Sequence, residues 1–101
     1  MGQRTELHEL LCTALGSRNV YFQPPEGFKL VYPCIIYDLS RVETRHADNK
    51  PYAHAKKYTV TVIDRNPDSM IPDRIAGFPT AAFDRHFQAD NLHHDVYQLY
   101  Y

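Results

Sequence analysis

The segment Lys56 to Asp64, KKYTVTVID, constrains this chain more than any other stretch of it. Tyr58, Val60 and Val62 alternate with Thr59, Thr61 and Ile63, and all six are good strand formers. Successive side chains on a strand point to opposite faces. A second alternation follows the same rule in Cys34 to Arg41, CIIYDLSR, with Ile35, Tyr37 and Leu39 on one face. Two more strands are expected at Ala81–Gln88 and His93–Tyr100. In the first of these, Phe83, Arg85 and Phe87 are expected to share a face. In the second, His93, Asp95, Tyr97 and Leu99 take one face and His94, Val96, Gln98 and Tyr100 the other. Asn19–Gln23 adds a short strand, broken by Pro24-Pro25-Glu26-Gly27, and 24–33 is expected as a loop pinned by three prolines.

Helical spacing appears in two places. Leu7, Leu10, Leu11 and Ala14 recur on one face of residues 4–16, with Leu15 beside them. Thr5 is placed to cap this helix and Gly16 to stop it. After Asn66-Pro67-Asp68 ends the central strand, Ser69 is placed to cap a short helix that runs to about Ala76 and closes at Gly77. The order is helix, three strands, short helix, two strands. Short links favour antiparallel neighbours. The fold class expected is therefore α+β: an antiparallel sheet of about four to five strands with both helices packed on one face. Its length of 101 residues suits a single domain, 1–101.

Residues 42–55 fit neither period. They are polar, contain Pro51, and are expected to form a long exposed hairpin connection or arm. Here Ala47-Asp48-Asn49 occurs, and the same tripeptide returns as Ala89-Asp90-Asn91. Asp and Asn tolerate turn geometry and fold back on their own backbone, so both copies are expected to mark turns between strands.

Charge and motifs narrow the chemistry. A formal net charge of −1 gives no bulk drive toward nucleic acid or an anionic membrane. No apolar run approaches the length of a membrane span, and no signal peptide is expected. Cys12 and Cys34 fall on an expected helix and strand, and read as small buried groups in a reducing compartment. There is no Gly-x-Ser-x-Gly elbow and no clustered glycine for a phosphate loop, so the chain is not expected to be an enzyme and no cofactor is expected. His86, His93 and Asp95, with Asp84 and His94 nearby, match zinc ligands in type but without ligand spacing. A polar, titratable strand surface is the favoured reading of them. His46 and His54 are expected at a surface or interface, where histidine charge responds to pH near neutrality. Arg45, Lys50, Lys56 and Lys57, with Tyr52 among them and Tyr58 next after, form a basic stretch able to touch a phosphate backbone. A solvated hairpin with basic, edge-protecting residues is favoured over that.

Taken together, the helix TELHELLCTALG, the NVYFQPP strand and stop, YPCIIYDLS, the polar ADNKPY arm, YTVTVIDRNPDS, IPDRIAGFP and FDRHFQADNLHHDVYQLYY resemble the small tail terminator, or tail completion, proteins of tailed bacteriophages. The likeness covers nearly the whole chain. It implies a structural virion protein of the neck, assembled in the host cytoplasm. Such a protein forms a ring, usually a hexamer, that caps the tail tube and meets the head connector, with genomic DNA passing through the lumen. Related head-tail joining proteins share this size and element order. Under this resemblance Arg45, Asp48, Asn49, Tyr52 and Lys56 are expected as arm contacts between subunits, and the edge near 19–23 as a site of pairing across them.

Overall fold

The computed structural model describes residues 4–47, 50–78 and 80–101, with side chains described outside 42–55. Its elements are α1 (Arg4–Leu15), β1 (Val20–Phe22), β2 (Cys34–Ala47), β3 (Lys50–Asp64), α2 (Ile71–Ala76), β4 (Ala81–Ala89) and β5 (Leu92–Tyr100). The five strands form one sheet in the order β1-β2-β3-β5-β4. The α+β class expected from the sequence is the class observed.

One pairing departs from the expected antiparallel pattern. β1 runs parallel to β2, with Val20 beside Ile35 and Phe22 beside Tyr37. Parallel neighbours need a crossover rather than a tight turn. The proline-rich loop 23–33 supplies it, and Phe28 in that loop packs edge-on against Tyr21 with ring centroids 5.1 Å apart. β2–β3, β3–β5 and β5–β4 are antiparallel.

The core forms where α1 and α2 cover one face of the sheet. Ile35 and Tyr37 of β2, Tyr58, Val60 and Val62 of β3, and Tyr97 and Leu99 of β5 meet Leu7, Leu11 and Leu15 of α1 and Ile71 and Ile75 of α2. On each strand these residues share one of the two faces that alternation predicts, while Leu39, expected beside Ile35 and Tyr37, is 39% exposed. The helix stripe differs by one step from the expected one: Cys12 is buried, whereas Leu10 is 45% exposed. Helix packing is decided by which side the partner lies on, and spacing alone allowed either flank of the stripe. Gly16, at φ +83°, ends α1, its N–H donating to the Cys12 carbonyl at 2.8 Å. Thr5, expected as a cap, already lies inside the helix. At α2 the N-cap position is Met70, and Ser69 contributes from one residue earlier, its Oγ accepting from the Ile71 N–H at 3.3 Å. Arg74 of α2 donates to the Ala14 carbonyl at 2.9 Å and ties the helices together.

β4 carries the other departure. Its register against β5 shifts between Phe83 and Arg85, so Phe83 pairs with Tyr97 but Arg85 pairs with Val96. A bulge of one residue reverses the facing of everything beyond it. Phe83 therefore joins the helix-covered face, packing edge-on against Tyr97 at 5.5 Å, while Phe87 stacks on His94 across the open face at 4.5 Å. Arg85 and Phe87 do share a face, and the guanidinium lies 5.8 Å from the Phe87 ring.

Candidate functional site

Two features of the sheet stand outside its core, and both are built from backbone before side chains matter. The first is the hairpin of β2 and β3. Their ladder continues past Arg41↔Lys57 through Val42↔Lys56, Thr44↔His54 and Arg45↔Ala53 to Ala47↔Lys50. The expected arm is thus a strand ribbon rather than an irregular loop. β1 pairs with β2 only at residues 35–37, and β5 pairs with β3 only from Lys57 onward. Among the described residues, the ribbon beyond them has no strand on either side. The longest dimension of the molecule, 51 Å against 27 and 23 Å, accords with such a projection.

The root of the ribbon is held firmly. The Tyr101 N–H donates to the Lys56 carbonyl at 3.0 Å. The Ser40 hydroxyl donates to the Lys57 carbonyl at 2.9 Å. On the open face a polar ladder crosses three strands below it: Gln98 donates to Asp84 at 3.0 Å, and Thr59 donates to Gln98 at 3.2 Å. Of the expected contact residues, Arg45 lies on the β2 side of the ribbon, Tyr52 on the β3 side at a register irregularity, and Lys56 is exposed at the root. Asp48 and Asn49 lie outside the described residues. In the second Ala-Asp-Asn copy, Asp90 and Asn91 have φ of 52° and 62° between the paired residues Ala89 and Leu92. Consecutive left-handed residues make the hairpin turn expected of this copy.

The second feature is β4. It forms the far edge of the sheet, and every residue from Ala82 to Ala89 is exposed, with Phe83 at 58% and Phe87 at 40%. Its sequence, AAFDRHFQA, has neither proline nor lysine, but it carries the charged Asp84 and Arg85 and the bulge between Phe83 and Arg85, features that blunt an edge. Alternation in the sequence marked β4 as a strand, but an edge is defined by what is missing beside it, and no local signal carries that.

The histidine hairpin is brought together as well. His86 Nδ1 lies 2.6 Å from Asp95 Oδ1, and the rings of His86 and His93 stack at 5.6 Å with 28° between planes. Stacked rings direct their in-plane nitrogen lone pairs side by side rather than toward one point. Asp84 turns to Gln98 and His94 to Phe87, both on the opposite face. Among the described residues no group of three or more His, Cys, Asp and Glu has a metal-holding arrangement. Cys34 is fully buried, and burial, with the Asp64 charge secondary, pushes its thiol up to about 11. At neutral pH such a thiol is protonated and a poor nucleophile.

Sequence reading overlooked one polar cluster. Tyr37, fully buried at its place in the core, receives a hydrogen bond from Arg4 at 3.1 Å and shares one of 2.8 Å with His8 Nδ1. Arg4 also lies 4.6 Å over the Phe22 ring. Arg4 and His8 one turn apart on α1 were the available signal.

No helix among the described residues is long and apolar enough to cross a membrane. The chain is an α+β domain whose distinguishing features are a projecting ribbon and an uncovered sheet edge. It matches no protein-family model and no curated protein.

Proposed function

We propose that this protein is a structural component of a tailed-bacteriophage virion, a tail terminator whose subunits close into a ring, a hexamer, in the neck. In this reading the ring caps the tail tube, meets the head connector, and leaves a lumen for the genome. The observation that carries it is the β2–β3 ribbon. A lone two-stranded hairpin without a core is at best marginally stable in water. Extending one away from the body is profitable when a neighbour receives it. Residue types in the ribbon suit that use, with Arg45, Tyr52 and Lys56 as contacts within a ring. A related head-tail joining protein would use the same features.

A nucleic-acid-binding module is the second reading, because residues 41–57 hold five basic side chains against two acidic ones. One experiment separates the two. Native mass is measured across a concentration series, alone and with tail tube protein, beside oligonucleotide binding at several salt concentrations. A closed species of one defined mass, or one formed on the tube protein, is the result expected. A protein that stays monomeric in both settings, and binds DNA with a steep salt dependence, would replace the terminator with the nucleic-acid module.

A further inference from the structure

We propose that the open sheet face around Phe87 and His94 binds single-stranded nucleic acid, its bases stacking on the exposed rings and its phosphates meeting Arg65 and Arg85. The surface lies at the opposite end of the strands from the ribbon, and the inference does not depend on whether copies close into a ring.

Three observations carry it. The first is a dry floor with a ring standing on it. By the registers, Cys34, Ile63, His94 and Phe87 form one row across four strands, on the face away from the helices. Cys34 and Ile63 are 0% and 5% exposed, and Val96 in the next row is 2% exposed, although all three stand outside the helix-covered core. Phe87 nonetheless keeps 40% of its surface in solvent. It stacks on His94 at 4.5 Å with 11° between planes, and His94 Nδ1 is tied to the Leu92 carbonyl at 3.2 Å. A base laid on Phe87 would extend a stack that the sheet already holds in place.

The second is the pair of arginines. Arg85 lies 5.8 Å over the Phe87 ring, and Arg65, at the end of β3, lies 5.8 Å over the Tyr32 ring. Both are exposed, and among the described residues neither makes an ion pair. A guanidinium on a ring with no carboxylate beside it keeps its donors for a phosphate and its plane for a base.

The third is where the carboxylates fall. The row that holds Phe87 has none, and neither does the row beside it, which ends at Arg85. By the same registers Asp64 and Asp95 belong to the helix-covered face, and Asp90 sits in the hairpin turn. Asp38 lies one row further on, and Asp84, in the bulge, accepts from Gln98 at 3.0 Å. The chain is near neutral as a whole, yet this end of the face suits an anion. Only unpaired bases offer their faces to rings on a flat sheet, so a single strand fits better than a duplex. An acidic peptide would meet the arginines and leave the rings unused.

The test is fluorescence anisotropy of a labelled oligothymidylate of about twelve nucleotides with the full protein at low salt. Binding is expected within the range up to about 100 μM protein. F87A is expected to weaken it roughly five- to 150-fold, the loss of one stacked base. F87L, which keeps apolar bulk without a ring face, replaces F87A if circular dichroism shows that F87A does not fold. R65Q/R85Q is expected to lower the slope of log affinity against log salt by about 1.4, two phosphate contacts on a single strand. K50E/K56E, in the ribbon, is expected to change affinity less than F87A does. No binding in that range would overturn the proposal, as would an unchanged affinity of F87A or F87L. Loss of binding in K50E/K56E with F87A unaffected would move the site to the ribbon. Equal competition by a duplex of the same length, or by polyglutamate, would reduce the surface to a general anion or acidic-peptide contact and overturn it too.

Discussion

Tyr37 shows how one residue sets both packing and pH response. Its ring fills the core while its hydroxyl accepts from Arg4 and, by the network, donates to His8 Nδ1. That assignment keeps His8 neutral. A protonated His8 has no lone pair at Nδ1, so the hydroxyl would lose its acceptor. Burial, then the charges of Arg4 and Arg18, holds the His8 pKa below its ordinary 6.5. With the folded value below the unfolded one, the unfolded chain binds the extra proton first. Stability is expected to be fully present above about pH 6.5 and to fall as pH is lowered through the depressed value. H8Q should flatten that part of the stability–pH curve, measured by urea unfolding between pH 7.5 and 4.5. Y37F keeps the ring but orphans both partners, and a loss of about 1 kcal/mol is expected in the same assay. A loss near zero would mean that solvent satisfies Arg4 and His8. Leu11, fully buried against the sheet, should cost about 2–5 kcal/mol as L11A, whereas L10A, at an exposed position, should stay within about 0.5 kcal/mol.

At the scale of elements, two hairpins are the units to perturb. In β4–β5, Asp90 and Asn91 both hold positive φ. N91G should therefore be neutral or slightly stabilising, and N91V should cost about 1–2 kcal/mol, because a β-branched side chain clashes in the left-handed region. Thermal unfolding of the two variants is the measurement, and equal midpoints would argue against a strained turn. In β2–β3, the ladder beyond Arg41↔Lys57 has no further strand beside it among the described residues. Removing 43–55 is expected to shift the melting temperature of the monomer by only a few degrees. A collapse of the fold would mean that the ribbon serves the body and not a neighbour.

For the whole molecule, charge is the property through which the proposed ring can be tested. Residues 41–57 carry net +3 and residues 64–101 net −3, so association in the proposed ring is expected to be sensitive to salt, exposed charges being screened within about 8 Å at physiological ionic strength. Raising salt from 50 to 500 mM is expected to weaken self-association, read as a fall in sedimentation-averaged mass. Association unchanged or strengthened by salt would point to an apolar contact, for which Val31 and Met70, at 60% and 61%, are the most exposed large apolar residues among those described.

Much of the fold was legible because strand alternation and helical spacing are local. KKYTVTVID, CIIYDLSR and His93–Tyr100 each declared which residues share a face, and one face of each supplies Ile35, Tyr37, Tyr58, Val60, Val62, Tyr97 and Leu99 to the core. Gly16 and the Asp90-Asn91 turn were equally local, since left-handed backbone favours Gly, Asn and Asp wherever it occurs. Three things were settled by tertiary structure. Parallel pairing of β1 came from the path of loop 23–33, which sequence spacing does not encode. Separation of Phe83 from Phe87 came from a bulge whose existence depends on the partner strand β5. The open edges came from strand order, β1-β2-β3-β5-β4, a property of the whole sheet. Pairing between distant segments depends on all the strands at once, so the sequence determined which residues share a strand face, and only the assembled sheet decided which face the helices cover and which described strands lie at its edges.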